Sequence, residues 1–459
     1  MPGRQKDFLK YRDLHAEFIY EKFHYTILNE IINISFEFIL KGNAEEGVDD
    51  ISFKPIIKLP IDSEMNIKNI DVHLLENLIF HIGMVELISY WKAACPPEVI
   101  IKPFFLDENQ IQFWKKLYWN GLGEFFYINE IDTSIEDFMQ ISSPYEKVLE
   151  KTSFQSQEKI IIPIGGGKDS AVSLEILKDS ELNIYPFIIN PRGASINTVK
   201  QAGITDKNLL LAKRSIDSIL IKLNEEGYLN GHTPFSALLA FTTLLQAYLT
   251  GAKYISLSNE SSANESSVTG SYVNHQYSKT FEFESNFRAY YKTYITEDLE
   301  YFSFLRPLSE LQIASLFVKF KNHHYSFRSC NVGSKTDSWC GNCPKCLFTY
   351  IILAPFLPEK ELNSMLGENL ILKSSLAKSL KELQGLTDTK PFECVGTVGE
   401  VNLALYQAIR HNDYPSSTVV IYDNITNETR FKNALKDWNK AHFLPEFLET
   451  LLKQKLSLC

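Results

Sequence analysis

The chain has 459 residues, with 46 basic and 56 acidic side chains and a formal net charge of -10. That length accommodates roughly two to four folding units with ample core. With 44% hydrophobic and 22% charged residues the chain is neither disordered nor collagen-like, and its acidic balance argues against a general polyanion binder, which needs a basic surface.

In chain order, the N-terminal MPGRQKDFLKYRDLHAEF has no apolar stretch behind its basic residues, so no secretory signal is expected. FEFIL reads as a strand. Residues 74–94 read as an apolar helix closed by Cys95-Pro96-Pro97, and QIQFWKKLYWNGLGEFFYI as a second, aromatic-rich helix. The polar stretch KTSFQSQEK, residues 151–159, has linker character. The pattern then changes. KIIIPI is a continuous β-branched run of the kind a buried parallel strand needs, followed by GGGKDS and the helical AVSLEIL. IYPFIIN and LLLAKR are the next strands. A helix over 234–249 leads into the strand KYISLS, then YFSFLRP, then a helix capped by Ser309. The apolar segment 237–252 is broken by Thr and Gln and too short to span a bilayer, so a soluble, cytoplasmic protein without a membrane segment is expected. The tail has two helical tracts separated by KPFECVGTVGE and the strand-like STVVIYD.

Strands alternating with helices imply an α/β fold with a parallel sheet covered by helices on both faces. The expected organisation is an N-terminal α+β domain over 1–150, a nucleotide-binding domain over 155–355, and a mostly helical region over 356–459.

The sharpest local signal is Gly165-Gly166-Gly167-Lys168-Asp169-Ser170, between a hydrophobic strand and a helix. Glycines let successive N–H groups converge on an anion, and the helix N-terminus adds partial positive charge, so a phosphate chain can sit there. Lys168 can offset phosphate charge, Ser170 can donate a hydrogen bond and Asp169 can help to hold Mg2+. The spacing is neither Gly-x-x-x-x-Gly-Lys-Ser/Thr nor Gly-x-Gly-x-x-Gly. GGGKDS resembles the Ser-Gly-Gly-x-Asp-Ser loop of the PP-loop ATP pyrophosphatases, which cleave ATP to AMP and pyrophosphate while adenylating a substrate; Gly165 stands where that family usually has Ser. Leu305-Arg306-Pro307-Leu308 before a helix resembles another of its features.

Seven cysteines, an odd number with four crowded together, do not suit a disulfide scaffold. Cys330, Cys340, Cys343 and Cys346 have the spacing of a tetrahedral zinc site, with Gly341 and Pro344 suited to the turns between ligands. The cluster resembles the zinc site of 7-cyano-7-deazaguanine synthase, itself a PP-loop enzyme. A closed set of four thiolates leaves no position for water, which makes such a zinc structural.

Four polar segments, each by itself no more than a loop or cap, complete the reading: GHTPFSALLAF, SNESSANE, VNHQYSK and PFECVGTVGEV. With HIGMVELISYWKAACPPEVII and GLGEFFYINE of the first block, they resemble the ATP-dependent epimerases of UDP-N-acetylmuramoyl-L-alanyl-L-glutamate, the bacterial MurL family. The resemblance implies conversion of the terminal L-Glu of that peptidoglycan precursor, UDP-MurNAc-L-Ala-L-Glu, to D-Glu, with ATP consumed to AMP and pyrophosphate; the Mg2+ and the structural zinc are expected from Asp169 and the four cysteines. It also implies a functional link to a ligase that adds L-glutamate to the muramoyl-alanine precursor; the acidic balance and the lack of a recognisable RNA-binding module lead to the expectation of no nucleic-acid partner. Asn259 and Glu260 join the glycine loop as expected nucleotide-binding residues.

Coupling ATP to an epimerisation has a physical reason. Removing an α-proton beside a free carboxylate builds a second negative charge on one small group. Adenylating that carboxylate removes the first charge, and the mixed-anhydride carbonyl can delocalise the carbanion as an enolate. The peptide-linked nitrogen cannot form a Schiff base, which closes the pyridoxal route. For proton transfer, Cys394 with neighbouring Glu393 stands outside the zinc cluster, and a thiolate brought near neutrality can deprotonate carbon. His232 is the natural imidazole partner. The alternatives are a small buried hydrophobe for Cys394 and a helix N-terminal role for His232; Glu124 and Glu260 stand in reserve. Lys279 and Arg288 are charges suited to the uridine diphosphate or the glutamyl γ-carboxylate. The rival readings are another adenylating PP-loop enzyme, nitrile-forming or tRNA-thiolating, and a non-catalytic nucleotide-binding protein.

Overall fold

The computed structural model describes residues 3–65, 68, 70–412 and 424–457, with backbone alone at 424–427. STVVIYD, read as a strand, and Cys459 lie outside the described residues. The chain is α/β and forms two compact units: one comprises Met1–Glu158, Leu211–Ile255 and Tyr272–Glu300, the other Lys159–Leu210, Ser256–Ser271 and Tyr301–Cys459.

The first unit is built on a hairpin. Strands Glu17–Leu28 and Ile31–Leu40 pair antiparallel, turned by Asn29 and Glu30, both at positive φ, as a two-residue hairpin turn requires. Phe36, Phe38 and Leu40 alternate inward along FEFIL. Glu98–Ile101 adds parallel to the first strand and Ile56–Pro60 antiparallel to the second. The strand read as LLLAKR runs Leu210–Ser215, and its residues 213–215 pair antiparallel with Ile56–Pro60. The helix Phe235–Thr250 packs on Val72–Trp91. Long-range pairing and helix packing thus bring 211–255 and 272–300 to the N-terminal residues, although the sequence reading grouped them with the nucleotide-binding stretch. The aromatic helix over 110–128 is two helices, Glu108–Gly121 and Gly123–Ile128. A Cβ on Gly121 would lie 2.7 Å from the Pro234 ring, so glycine there permits a close approach.

Val72–Trp91 is long and apolar enough to cross a membrane by length and composition, but it is the core helix of this unit. Two of its buried polar side chains are paired across the unit: Asn77 Nδ2 donates to the carbonyls of Glu150 and Tyr294, and Glu86 receives Arg214 through two 2.9 Å bonds. His81 is tied to Tyr290. The Tyr290 hydroxyl accepts from Trp114 Nε1 at 3.0 Å and Gln110 Nε2 at 3.3 Å, so its own proton goes to His81 Nε2 at 2.9 Å, and His81 Nδ1 donates to the Asn77 carbonyl at 2.8 Å. Burial holds the imidazole neutral, pushing it down to about 4 against the opposing pull of the Asn77 carbonyl.

This arrangement sets an acid limit. The unfolded chain takes up a proton on His81 near pH 6.5, whereas the folded chain does so only near 4. The stability that depends on the neutral ring is complete above about pH 6.5 and falls away toward pH 4, by up to about 3 kcal/mol. Thermal melts between pH 7 and 4 are expected to fall less steeply for His81→Gln than for the parent; parallel curves would remove His81 as the titrating group.

In the second unit, Gln157–Pro163 and Asn183–Ile189 pair parallel, with Ile161 opposite Tyr185, as the β-branched run implies. The helix Lys168–Leu177 follows the first of these strands and Gly193–Gln201 the second. The strand Ala252–Leu257 ends in this unit, where the Leu257 carbonyl accepts from the Phe304 N–H at 2.7 Å. Ser309 caps the helix Glu310–Phe317 with a complete capping box to Gln312. Tyr301–Ser303 of the strand Glu300–Ser303, expected from YFSFLRP, also lie in this unit, as do the helices Pro344–Leu353, Val398–Asn412 and Glu446–Ser457.

Candidate active site

The glycine loop leaves the carboxyl end of a strand whose Ile160, Ile161 and Ile162 are fully buried. Gly166 has φ +86°, and a Cβ on it would lie 2.6 Å from the Ser195 backbone nitrogen, so no larger residue fits. Gly165 is different. A Cβ there meets nothing within 4 Å, so the serine of the resembling loops would fit, and packing does not force its loss. Ser170 turns its hydroxyl onto the loop itself, accepting from the Gly166 N–H at 3.2 Å and donating to the Gly167 carbonyl at 3.0 Å.

Lys168 is the centre of a buried charge cluster. Its ammonium pairs with Asp169 and with Glu310. The Lys168 and Glu310 side chains are almost completely buried, while Asp169 keeps 31% of its side chain exposed. The Glu310 N–H donates to Glu400 at 2.7 Å, and the other Glu400 oxygen accepts from both the N–H and the hydroxyl of Thr397 at 2.8 Å. Glu260 is buried and takes the Ser262 hydroxyl at 3.2 Å. Arg306, fully buried, donates to the Glu260 carbonyl at 2.6 Å, and Asn259 donates to Ser303 at 3.0 Å. Burial lowers the Lys168 ammonium, but the Asp169 and Glu310 charges outweigh it and hold it well above the ordinary range. Glu310 is raised by burial and by Asp169, Glu260 and Glu400, against Lys168. Glu400 is raised as well, by burial of its carboxyl beneath the 396–397 turn. More carboxylates than cations converge here, an arrangement that favours a bound cation.

Two of the singled-out motifs meet at this cluster. Lys390 pairs with Glu265 of SNESSANE and donates to the Gly396 carbonyl at 3.0 Å, and Val268 bridges Thr389. A Cβ on Gly396 would lie 3.2 Å from Glu310 Cγ, so the loop that carries Cys394 lies against the Lys168 pair. Cys394 is half-buried and in no disulfide, and Glu393 accepts from Asn331 at 2.8 Å, next to the cysteine knuckle.

The cysteine knuckle is compact. Cys330 and Cys343, Cys340 and Cys346, and Cys343 and Cys346 have Sγ separations of 3.7, 3.7 and 3.5 Å. A tetrahedral ion with Zn–S bonds of about 2.3 Å has edges of about 3.8 Å. The Gly333 N–H points at Cys330 Sγ (3.1 Å) and the Cys346 N–H at Cys343 Sγ (3.4 Å), bonds that stabilise thiolates. The donor set and its dimensions fit zinc. Cys343 is also the N-cap of Pro344–Leu353, so the knuckle fixes the start of a buried helix.

The first unit holds a different polar centre. His232 and His275 face each other with ring centroids 4.4 Å apart, and Glu124 lies 2.5 Å from His275 Nδ1 and 3.7 Å from His232 Nδ1. Burial, His275 and the lysines Lys92 and Lys279 push His232 down to about 4, against Glu124, so its ring is neutral at physiological pH. Lys92 donates to the Gly231 carbonyl at 2.5 Å and anchors the loop before His232. Arg288 pairs with Glu300 at 2.8 Å.

A model described as the MurL N-terminal domain matches residues 10–304, and one described as the MurL C-terminal domain matches residues 324–438. The chain belongs to the MurL family. It is 32% identical over 392 residues to a UDP-N-acetyl-alpha-D-muramoyl-L-alanyl-L-glutamate epimerase of Micromonospora sp., covering 84% of this chain and 85% of that protein. It is 33% identical over 346 residues to the protein so described from Xanthomonas oryzae pv. oryzae, covering 73% and 75% of the two chains, and 32% identical over 380 residues to that of Salinispora tropica, covering 81% and 80%.

Of the expected residues in this MurL chain, the second unit brings together Lys168, Asp169, Glu260 and the loop of Glu393 and Cys394, with the zinc-type cysteines beside that loop. His232 belongs to the first unit, with Glu124 and His275. Sequence reasoning missed Glu310, Glu400, Lys390 and His275 as site residues. Glu310 follows the LRPLS stretch, and Glu400 and His275 stand inside motifs already singled out, so only their pairing was hidden.

Proposed function

We propose that this MurL-family chain epimerises the terminal L-Glu of UDP-MurNAc-L-Ala-L-Glu to D-Glu in the cytoplasm, with ATP split to AMP and pyrophosphate. The observation that carries the reading is the glycine loop with its buried Lys168 against the Cys394 loop, in a chain whose relatives bear the epimerase name. The α-carboxylate oxygen attacks the α-phosphorus and pyrophosphate leaves, giving an acyl adenylate. N–H groups of the glycine loop and the start of the helix Lys168–Leu177 bind the polyphosphate. Bound Mg2+ would supply charge neutralisation at the phosphates, and Asp169, whose side chain is part-exposed, would help to hold it. The Cys394 thiolate, beside Glu393, takes the α-proton and a proton from solvent is delivered to the opposite face; water then cleaves the anhydride to D-glutamyl product and AMP. The substrate requires a preceding ligation of L-glutamate to the muramoyl-alanine precursor.

The test is incubation with ATP, Mg2+ and the L-Glu precursor while pyrophosphate release and glutamate chirality are followed. Inversion that proceeds equally without ATP would overturn the proposal. Cys394→Ala is expected to lower deuterium uptake from solvent at the glutamyl α-carbon roughly 100- to 10,000-fold, the usual worth of a positioned base. Undiminished exchange would take Cys394 out of the proton path.

A further inference from the structure

Three segments that the adenylation chemistry leaves unused converge in the first unit. Glu124 comes from the helix Gly123–Ile128 in GLGEFFYINE, His232 from the GHTPF loop ahead of Phe235–Thr250, and His275 from VNHQYSK. One ligand atom from each lies within 4.8 Å of the others. Their side chains are 17%, 25% and 14% exposed, so solvent reaches the group.

We propose that Glu124, His232 and His275 bind a divalent transition-metal ion, distinct from the ion expected at the four cysteines, with an open position for an anionic oxygen. Two neutral imidazoles and one carboxylate suit a zinc-class ion, and three protein ligands with a free position are the usual form of a reactive rather than structural site. Ligands about 2.1 Å from a tetrahedral ion stand about 3.4 Å apart. His275 and Glu124 therefore give up their direct hydrogen bond as the ion enters, and a neutral His275 that ligates through Nδ1 carries its proton on Nε2. Lys92 and Lys279, within electrostatic reach of His232, leave the filled site positively charged. That charge selects an anionic oxygen as the remaining ligand, of the kind carried by a diphosphate or a carboxylate. His232 then works as a ligand and not as a free base.

Full-length protein loaded with zinc at the cysteines is titrated with Co2+, and bound metal and visible absorption are read. The expected result is a second metal equivalent whose weak d–d bands lack the intense sulfur-to-cobalt transition. Glu124→Gln, His232→Asn and His275→Ala each lose that equivalent, while Cys343→Ser keeps it. Glu124→Asp, which retains the charge, restores part of it, separating ligation from a folding defect. Inorganic pyrophosphate and glutarate then probe the open position, and a changed cobalt spectrum with one of them identifies the source. Absence of a second equivalent in the parent, its survival in all three ligand variants, or a spectrum indifferent to both anions overturns the proposal. Because metal content is read without ATP, failure of the adenylation mechanism leaves this result standing.

Discussion

Lys168→Met is expected to lower pyrophosphate release and epimerisation roughly 100- to 1,000-fold, the scale of removing one preorganised charge from a site where negative charge must be held. The side chain is buried between Asp169 and Glu310, so the variant also loses stability; removing one partner of a buried pair costs about 3–5 kcal/mol before the survivor takes up a proton. Glu310, already raised by burial, is the group that protonates. This permits a clean separation. Lys168→Met combined with Glu310→Gln removes the unpaired charge and is expected to recover most of the melting temperature but none of the pyrophosphate release. A double variant that regains activity with stability would reduce Lys168 to a structural lysine.

Stripping the metal from the cysteine knuckle is expected to be the largest stability change available to the molecule. Structural zinc in small domains contributes about 10–16 kcal/mol to folding. Here the knuckle starts the helix Pro344–Leu353, whose residues Leu347–Leu353 are all buried, and borders the loop of Cys394. Cys343→Ser is expected to bind no zinc and to lower the unfolding transition of the second unit by about 20 °C or more, at roughly 2–4 °C per kcal/mol for a unit of this size. Metal analysis with calorimetry checks both. A variant with full zinc content would undo the four-cysteine assignment. One that loses zinc without a shift in melting would make the ion dispensable to the fold.

Local patterns made much of this molecule legible before its structure. A β-branched run such as Ile160–Ile162 needs a buried strand whatever surrounds it, and Ser309 followed by Gln312 closes a capping box from adjacent atoms alone. The strand Glu17–Leu28 was missed although its latter half alternates inward and outward, because charged residues interrupt its apolar face. The helix over 110–128 was read as one because nothing short-range announces that Gly121 must admit the Pro234 ring.

By itself, the order of residues determined which short segments become strands, helices, caps, a phosphate-type glycine loop and a four-thiol knuckle, and its motifs marked the family. All of these follow from interactions between near neighbours in the chain. Only the tertiary structure decided that 211–255 and 272–300 join the N-terminal residues, that Glu310 and not Asp169 alone holds Lys168, and that His232 meets Glu124 and His275 instead of standing by itself. Those outcomes depend on side chains more than a hundred positions apart, or on strands that must pair before they are stable, and burial then sets the charge states that no linear pattern encodes.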